Sequence, residues 1–224
     1  MRNAVLVVGA GAAAALMFAP TAALSFSNVH LLVQPRHSVV LWSAPNGRIL
    51  ARAPVVTPWS SPASFAVLER RGNWLRVVSD LLPNNRSAWI AAAGIPVRST
   101  RLMVRIDLSA RRLTVLLGSS VLRQATVAIG TPGSPTPTGV FSITDKLDSS
   151  RHAGWSAAYG CCVLALSGHQ SRLPPGWSSG DRLAIHGGGG IGAAVSAGCL
   201  HARERLLHYL MQRLPLGTLV QIEA

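Results

Sequence analysis

At 224 residues the chain is long enough for one large domain or two small ones around a buried core. Its 49% hydrophobic against 13% charged residues exclude a disordered polymer. The formal net charge of +13 sits on scattered arginines, with Lys146 the only lysine, and no basic helix or aromatic-basic module collects them, which argues against a nucleic-acid partner.

The elements read as follows in chain order. Arg2 precedes an apolar, small-residue run over 5–19; Pro20 breaks the run, and Thr21-Ala22-Ala23 offers small residues for cleavage. Residues 1–23 are therefore expected to be a secretory signal peptide, placing the remainder in the periplasm or cell wall. The run is shorter than the roughly 20 residues of a membrane-crossing helix, although an uncleaved anchor is the alternative. From 28 to 97, short apolar segments are cut by turns at Ser43-Ala44-Pro45-Asn46-Gly47, Ser60-Ser61-Pro62 and Leu82-Pro83-Asn84-Asn85. Residues 64–68 and 74–78 read as strands. Gly72-Asn73-Trp74 followed by Arg86-Ser87-Ala88-Trp89-Ile90 resembles a bacterial SH3-like domain, implying a small β-barrel over 28–97 with both tryptophans in its core.

Residues 94–100 read as a linker. Beyond it, 102–107, 112–117 and 121–129 are three strand-like runs joined by tight polar turns, an antiparallel meander. The proline-rich stretch 131–139 suits no regular element and is expected to be a rigid loop. Strands resume at 140–144, 162–166 and 183–186. A helix is expected over 203–214, with Leu206, Leu207, Leu210 and Leu214 on one face; Pro215 and Gly217 stop it, and 218–222 closes the chain as a strand. Both halves are mainly β.

The chemistry concentrates between Ile185 and His201. His186 ends a strand, a glycine-rich loop follows, and Ser196-Ala197-Gly198 leads back to Cys199 just ahead of the helix. The reactive form of cysteine is the thiolate, and a neighbouring imidazole can take its proton. A helix N-terminus nearby would favour negative charge, and Gly198 would let backbone N–H groups approach an oxyanion. On spacing alone an inert buried cysteine and a structural histidine are the more ordinary reading.

From residue 101 onward the chain resembles an L,D-transpeptidase catalytic domain of the YkuD type. The resemblance rests on Asp107-Leu108-Ser109-Ala110-Arg111-Arg112-Leu113, on Pro135-Thr136-Pro137-Thr138-Gly139-Val140-Phe141, on Ile185-His186-Gly187 with Ser196-Ala197-Gly198-Cys199, and on Leu216-Gly217-Thr218-Leu219-Val220-Gln221-Ile222. It implies a β-sandwich over 101–224 with one helix before the last strand. It implies Cys199 as nucleophile and His186 as general base, the Gly187 carbonyl orienting the imidazole, the N–H groups of Gly198 and Cys199 facing the oxyanion, and Ser196 bracing the loop. It also implies no metal and no cofactor, and peptidoglycan stem tetrapeptides as substrate, joined in 3–3 cross-links through a thioester. The protein departs from the pattern at Ala197, where many members carry histidine, and at His201, where arginine or asparagine is common. His201 and Arg203 are therefore the expected contacts to substrate.

Three other readings compete. The same pair would serve an L,D-carboxypeptidase. The glycine-only stretch 187–190 is expected to be an open, mobile wall of the site, and the loop 187–192, the segment 148–159 and the way the N-terminal domain flanks the cleft would then decide between water and an amine acceptor. A wall-binding protein without catalysis is the second. The third is a serine esterase, from His186-Gly187-Gly188-Gly189 and the G-x-S-x-G at Gly176-Trp177-Ser178-Ser179-Gly180, but Pro174-Pro175 stands where an elbow needs a strand. The charge suits anionic wall polymers as a further partner, and a monomer is expected. Three cysteines without C-x-x-C spacing argue against a zinc site. Adjacent cysteines rarely bridge, so Cys161 and Cys162 are expected as thiols, at least one of them in the core, with no disulfide to Cys199.

Overall fold

The computed structural model describes residues 28–152, 154–178 and 180–224; the expected signal peptide lies outside them. The first sheet is made of β1 (His30–Val33), β2 (Val39–Trp42), β3 (Ile49–Ala53), β4 (Phe65–Arg71), β5 (Trp74–Val78), β6 (Ser87–Ala91) and β7 (Val97–Thr100). All pairs are antiparallel, in the order β3-β2-β6-β5-β4-β1-β7. Gly72, at φ 54°, takes the first central position of the two-residue turn that pairs Arg71 with Trp74. Leu41, Leu75, Val77 and Ile90 alternate inward and are fully buried. Trp89, next to Ile90 and so on the opposite face of β6, is buried outside that cluster beneath the Arg71 guanidinium, and Trp74 meets Trp42 edge-on at 6.3 Å, so neither tryptophan joins the core expected of them.

The second half runs β8 (Leu102–Asp107), β9 (Arg112–Leu117), β10 (Ser120–Thr126), β11 (Ile129–Gly130), β12 (Gly139–Asp148), α1 (Trp155–Tyr159), β13 (Cys162–His169), β14 (Arg182–His186), β15 (Ala194–Ser196), β16 (Leu200–His201), α2 (Glu204–Arg213) and β17 (Leu219–Glu223). Eight of these strands form one sheet in the order β10-β9-β8-β17-β12-β13-β14-β16, and β11 pairs with β15 beside it. The chain's last strand thus enters the middle of the sheet, parallel to β8, and β16 lies parallel to β14. Val-, Ile- and Leu-rich β12, β13 and β14 are buried along most of their length, as central strands covered on both faces require. α2 lays Leu206, Leu207 and Leu210 on that core. Lys146 Nζ donates to the carbonyls of Met211 (2.7 Å) and Leu214 (2.9 Å), so the only lysine closes the C-terminal end of α2.

The mainly β architecture and the single helix before the last strand agree with expectation. Three further local expectations do not. The linker is in part a strand: β7 pairs with β1, with His30 opposite Thr100. Its side chains are mostly exposed, as on a sheet edge, so Val-Arg-Ser-Thr carries no apolar alternation to reveal it. A short helix, α1, stands in the segment 148–159, where none was expected. Finally, Cys161 and Cys162 are joined in a disulfide, against the expectation of two thiols; Cys162 is buried in the core and Cys199 is free.

The two sheets meet across a continuous seam. Ala66 and Val78 from the first pack with Met103, Leu116 and Leu219 from the second. The turn at Leu82-Pro83-Asn84-Asn85 is more than a turn. Asn84 Nδ2 donates to the His169 carbonyl (2.6 Å) and its Oδ1 accepts the His169 N–H (2.8 Å), the pairing a strand would make. Asp80 forms an ion pair with Arg182 at the start of β14.

Candidate active site

Register decides what surrounds His186. On one side it stands opposite Val163 of β13, on the other opposite His201 of β16. The residue is 5% exposed. Its Nδ1 lies 2.6 Å from the Gly187 carbonyl. A carbonyl only accepts, so Nδ1 carries the proton and Nε2 is left with its lone pair. Tyr159 stands edge-on to the ring at 4.8 Å and the His201 ring is 4.9 Å away. Burial lowers the pKa of His186 to about 4, against the pull of the Gly187 hydrogen bond, and His201 adds to the lowering. Gly187 has no room for a side chain: a Cβ there would lie 2.7 Å from both Gly160 Cα and the Tyr159 carbonyl, to which its N–H donates.

Cys199 lies between β15 and β16. α2 begins at Glu204, beyond β16. Sγ faces the Arg182 carbonyl at 3.8 Å and packs against Leu147, Val163 and Ala184. Burial pushes the thiol up to about 11, with the Ala184 backbone pulling the other way. Ser196 ties the turn: its Oγ donates to the Cys199 carbonyl (2.5 Å) and accepts the Gly198 N–H (3.1 Å). Of the two N–H groups expected at an oxyanion, that of Gly198 is thus already engaged.

Two residues not singled out by sequence hold this turn from outside. Gln170, 6% exposed, aims Nε2 at the carbonyls of Ala197 (2.8 Å), Pro135 (3.0 Å) and Ser134 (3.2 Å). Gly198, at φ 115°, admits no Cβ, which would stand 1.7 Å from that nitrogen. Thr136 Oγ1 donates to the Gly198 carbonyl (2.8 Å) and accepts the Gly130 N–H (2.8 Å). The proline-rich loop is therefore a clamp on the cysteine turn. Thr136 lay inside a recognised motif, but nothing in the sequence separates a buried glutamine from a solvated one.

His186, Ser196, Cys199 and His201 line one cleft of ≈ 500 Å³. Trp59, Trp155, Tyr159 and Trp177 also line it; Trp155 and Tyr159 fall in the segment 148–159 expected beside the acceptor, whereas Trp59 and Trp177 were not singled out. Arg203 is not brought to this cleft; with Arg123 and Arg205 it lines a separate hollow. Residues 187–192 do not line the cleft either. His201 Nδ1 donates to the Gly189 carbonyl (3.0 Å) and Gly192 N–H to that of Val127 (3.2 Å), which fold the loop back along the sheet edge. Ser178 has no strand before it and no helix after it among the described residues, so the esterase elbow is not formed. The disulfide lies beside α2, where Cys161, Cys162 and His208 bring their sulfur and nitrogen atoms within 4.8 Å of one another. Among the described residues no helix is long and apolar enough to cross a membrane.

A mainly β protein whose closing strand enters mid-sheet, with a thiol and a tautomerically fixed imidazole in one cleft, is the class that fold and site define. The family model of the YkuD L,D-transpeptidase catalytic domain matches residues 101–222, more than half of the chain, and the chain belongs to that family. Among solved structures, an L,D-transpeptidase from Mycobacterium smegmatis is similar at 20% identity, covering 86% of this chain and 97% of that one with a TM-score of 0.45. An Enterococcus faecium L,D-transpeptidase is 19% identical over 55% of this chain and 49% of its own, with a TM-score of 0.39. One from Stackebrandtia nassauensis is 20% identical over 55% of each chain, also at 0.39. The chain thus spans about half the length of the last two. A comparison with curated proteins finds no match.

Proposed function

We propose that the protein is an exported L,D-transpeptidase acting on peptidoglycan stem tetrapeptides, with Cys199 as nucleophile and His186 as base. The observation that carries this reading is that Cys199 and His186 line the same cleft, with the imidazole proton committed to Gly187 and Nε2 free. The thiol and the imidazole are both neutral at pH 7 by the shifts above, so proton transfer accompanies attack and no ion pair precedes it. Nε2 takes the thiol proton as Sγ bonds to the carbonyl carbon of the diamino acid at position three. The oxyanion is met by the Cys199 N–H. The C–N bond then breaks, the imidazolium returns its proton to the departing D-Ala nitrogen, and a thioester remains. An amine of a second stem attacks it and gives its proton to His186, which reprotonates Sγ; a 3–3 cross-link is left.

In this reading residues 1–23 export the chain and the domain 28–97 is an SH3-like module. The hollow of Arg123, Arg203 and Arg205 supports an anionic wall polymer as a further partner. Incubation with a carbapenem, which acylates the cysteine of this family, is expected to add one adduct by intact-mass analysis. An adduct that persists in Cys199→Ala would refute the nucleophile. Product analysis from a purified disaccharide-tetrapeptide is expected to give 3–3 dimers; tripeptide alone at high acceptor concentration would make the enzyme a carboxypeptidase.

A further inference from the structure

The wall of the cleft is not built by the catalytic domain alone. Trp59 belongs to the first half of the chain, on the loop between β3 and β4, yet it packs against the cluster of Leu147, Val163 and Ala184, the same cluster that Trp155, Tyr159 and Cys199 pack against. The loop is held rigidly. Thr57 Oγ1 accepts the N–H groups of Trp59 (3.3 Å) and Ser61 (3.2 Å) and donates to Asp145 of β12, whose side chain is fully buried. Pro58 and Pro62 fix the chain on either side of Trp59, and the Arg182 guanidinium lies 5.3 Å from the centre of its ring.

The protein has six tryptophans. Trp42, Trp74 and Trp89 belong to the first sheet; Trp59, Trp155 and Trp177 line the cleft. Trp155 is backed by the stacked His152 ring at 4.5 Å, and Trp177 is pinned by its Nε1–H on the Gly180 carbonyl (2.7 Å) while 44% exposed. A stem ending in a diamino acid and D-Ala offers alkyl chain, charge and a methyl group. None of these calls for three indoles. A pyranose ring does, because it presents an apolar C–H face to an aromatic ring and a polar rim to water.

We propose that Trp59, together with Trp155 and Trp177, forms a sugar subsite in the catalytic cleft, so that the N-terminal domain selects stems still attached to their glycan over free peptides. The inference rests on the transpeptidase reading for the position of the stem, but its test separates the two. The rigid loop means the subsite exists before substrate arrives, and its contribution appears chiefly in KM.

The first measurement is binding without turnover. The Cys199→Ala protein is titrated with the disaccharide lacking its stem, and the tryptophan indole N–H resonances are followed. Resonances assigned to Trp59, Trp155 and Trp177 are expected to move and those of Trp42, Trp74 and Trp89 to stay; no movement among the first three overturns the subsite whatever the enzyme's activity. The second compares kcat/KM for disaccharide-tetrapeptide and free tetrapeptide. The glycan-linked stem is expected to be favoured by about tenfold, the ratio falling towards one in Trp59→Leu, which keeps apolar bulk without a ring face, and surviving in Trp59→Phe. Equal use of both substrates by the wild type, or a ratio that survives in Trp59→Leu, overturns the proposal and leaves the transpeptidase reading standing. Carbapenem acylation of each variant, which needs no sugar, reports that the cysteine site is intact. Wild type that binds the disaccharide but is not acylated would refute the catalytic reading and keep the sugar site.

Discussion

A buried imidazole held near 4 and a buried thiol held near 11 give the site an unusually wide span of pH in which both are neutral. The rate of carbapenem acylation, which needs no acceptor amine, is therefore expected to stay level as pH falls through 6.5 and to drop only towards 4. A midpoint near 6.5 would mean that His186 is not desolvated as the structure has it, or is not the base. The same shift acts on stability. Above pH 6.5 the imidazole is neutral folded or unfolded and contributes no pH dependence. Below it the unfolded chain takes up a proton that folded His186 refuses, so stability falls until about pH 4, by roughly 3 kcal/mol in total. His30, also lowered by burial, adds to this limb. Urea denaturation at pH 7 and 4.5 is thus expected to show a smaller loss for His186→Gln than for wild type, with His30 contributing to the loss that remains. His186→Ala is expected to slow acylation by roughly 10²–10⁴-fold. His201→Ala, whose ring stands 4.9 Å from His186 and donates to Gly189, is expected to cost far less. Equal losses would give His201 a share of the proton transfer.

At the scale of elements the site is a turn gripped by a loop. Val195 of β15 is 49% exposed and Leu200 of β16 is anchored in the core, and the cysteine turn between them is held by the hydrogen bonding of Gln170 and Thr136. Gln170→Ala would leave the carbonyls of Ala197 and Pro135 without that donor, at a cost of about 1–3 kcal/mol. It is expected to lower acylation by more than this stability loss explains, because the cysteine turn loses its position; Gln170→Glu, which keeps the shape but not the two donor hydrogens, should behave like alanine. Full activity in both would make the clamp structural only. This is also where the sequence stops being legible. β5, β8, β9 and α2 announce themselves by apolar alternation or a helical stripe, and their limits agree with the structure to within a residue or two. The two-residue strands β11 and β16 carry no period, and β7 is an exposed edge. The histidine and cysteine of the motif were legible because the chemistry demands those residue types. Gln170 and Trp59 were not, since their roles arise from contacts between segments far apart in the chain. The disulfide of Cys161 with Cys162 was misread for the opposite reason: a general rule about neighbouring cysteines was applied to a pair that departs from it.

At the scale of the molecule, the first half of the chain is fastened to the second along β8, β9, β12, β13 and β17 and, closest to the site, at β14. Arg182 opens that strand and His186 ends it. The Arg182 guanidinium meets the Asp80 carboxylate and the Trp59 ring from the first half, and donates to Thr144 Oγ1 (3.3 Å) and the Leu166 carbonyl (3.4 Å) in the second; its own carbonyl faces Cys199 Sγ. The Arg182 and Asp80 side chains are 19% and 14% exposed, so the pair is shielded enough for loss of one partner to be felt. In Asp80→Ala the guanidinium keeps only neutral partners. The expected cost is about 2 kcal/mol, read as a lower midpoint in urea with the slope unchanged. With the apolar seam of Ala66, Val78, Met103, Leu116 and Leu219 still in place, unfolding is expected to remain one transition followed alike by tryptophan fluorescence and far-ultraviolet circular dichroism. Two separate transitions in the wild type would show that the halves fold independently and that the seam is a contact of convenience. A single transition in the wild type that splits in Asp80→Ala would show instead that this one ion pair couples them. Double substitution with Arg182→Met decides how much of the loss is the stranded charge: if the pair itself contributes little, the double variant should recover most of what Asp80→Ala loses, because no unpaired cation is left at the seam.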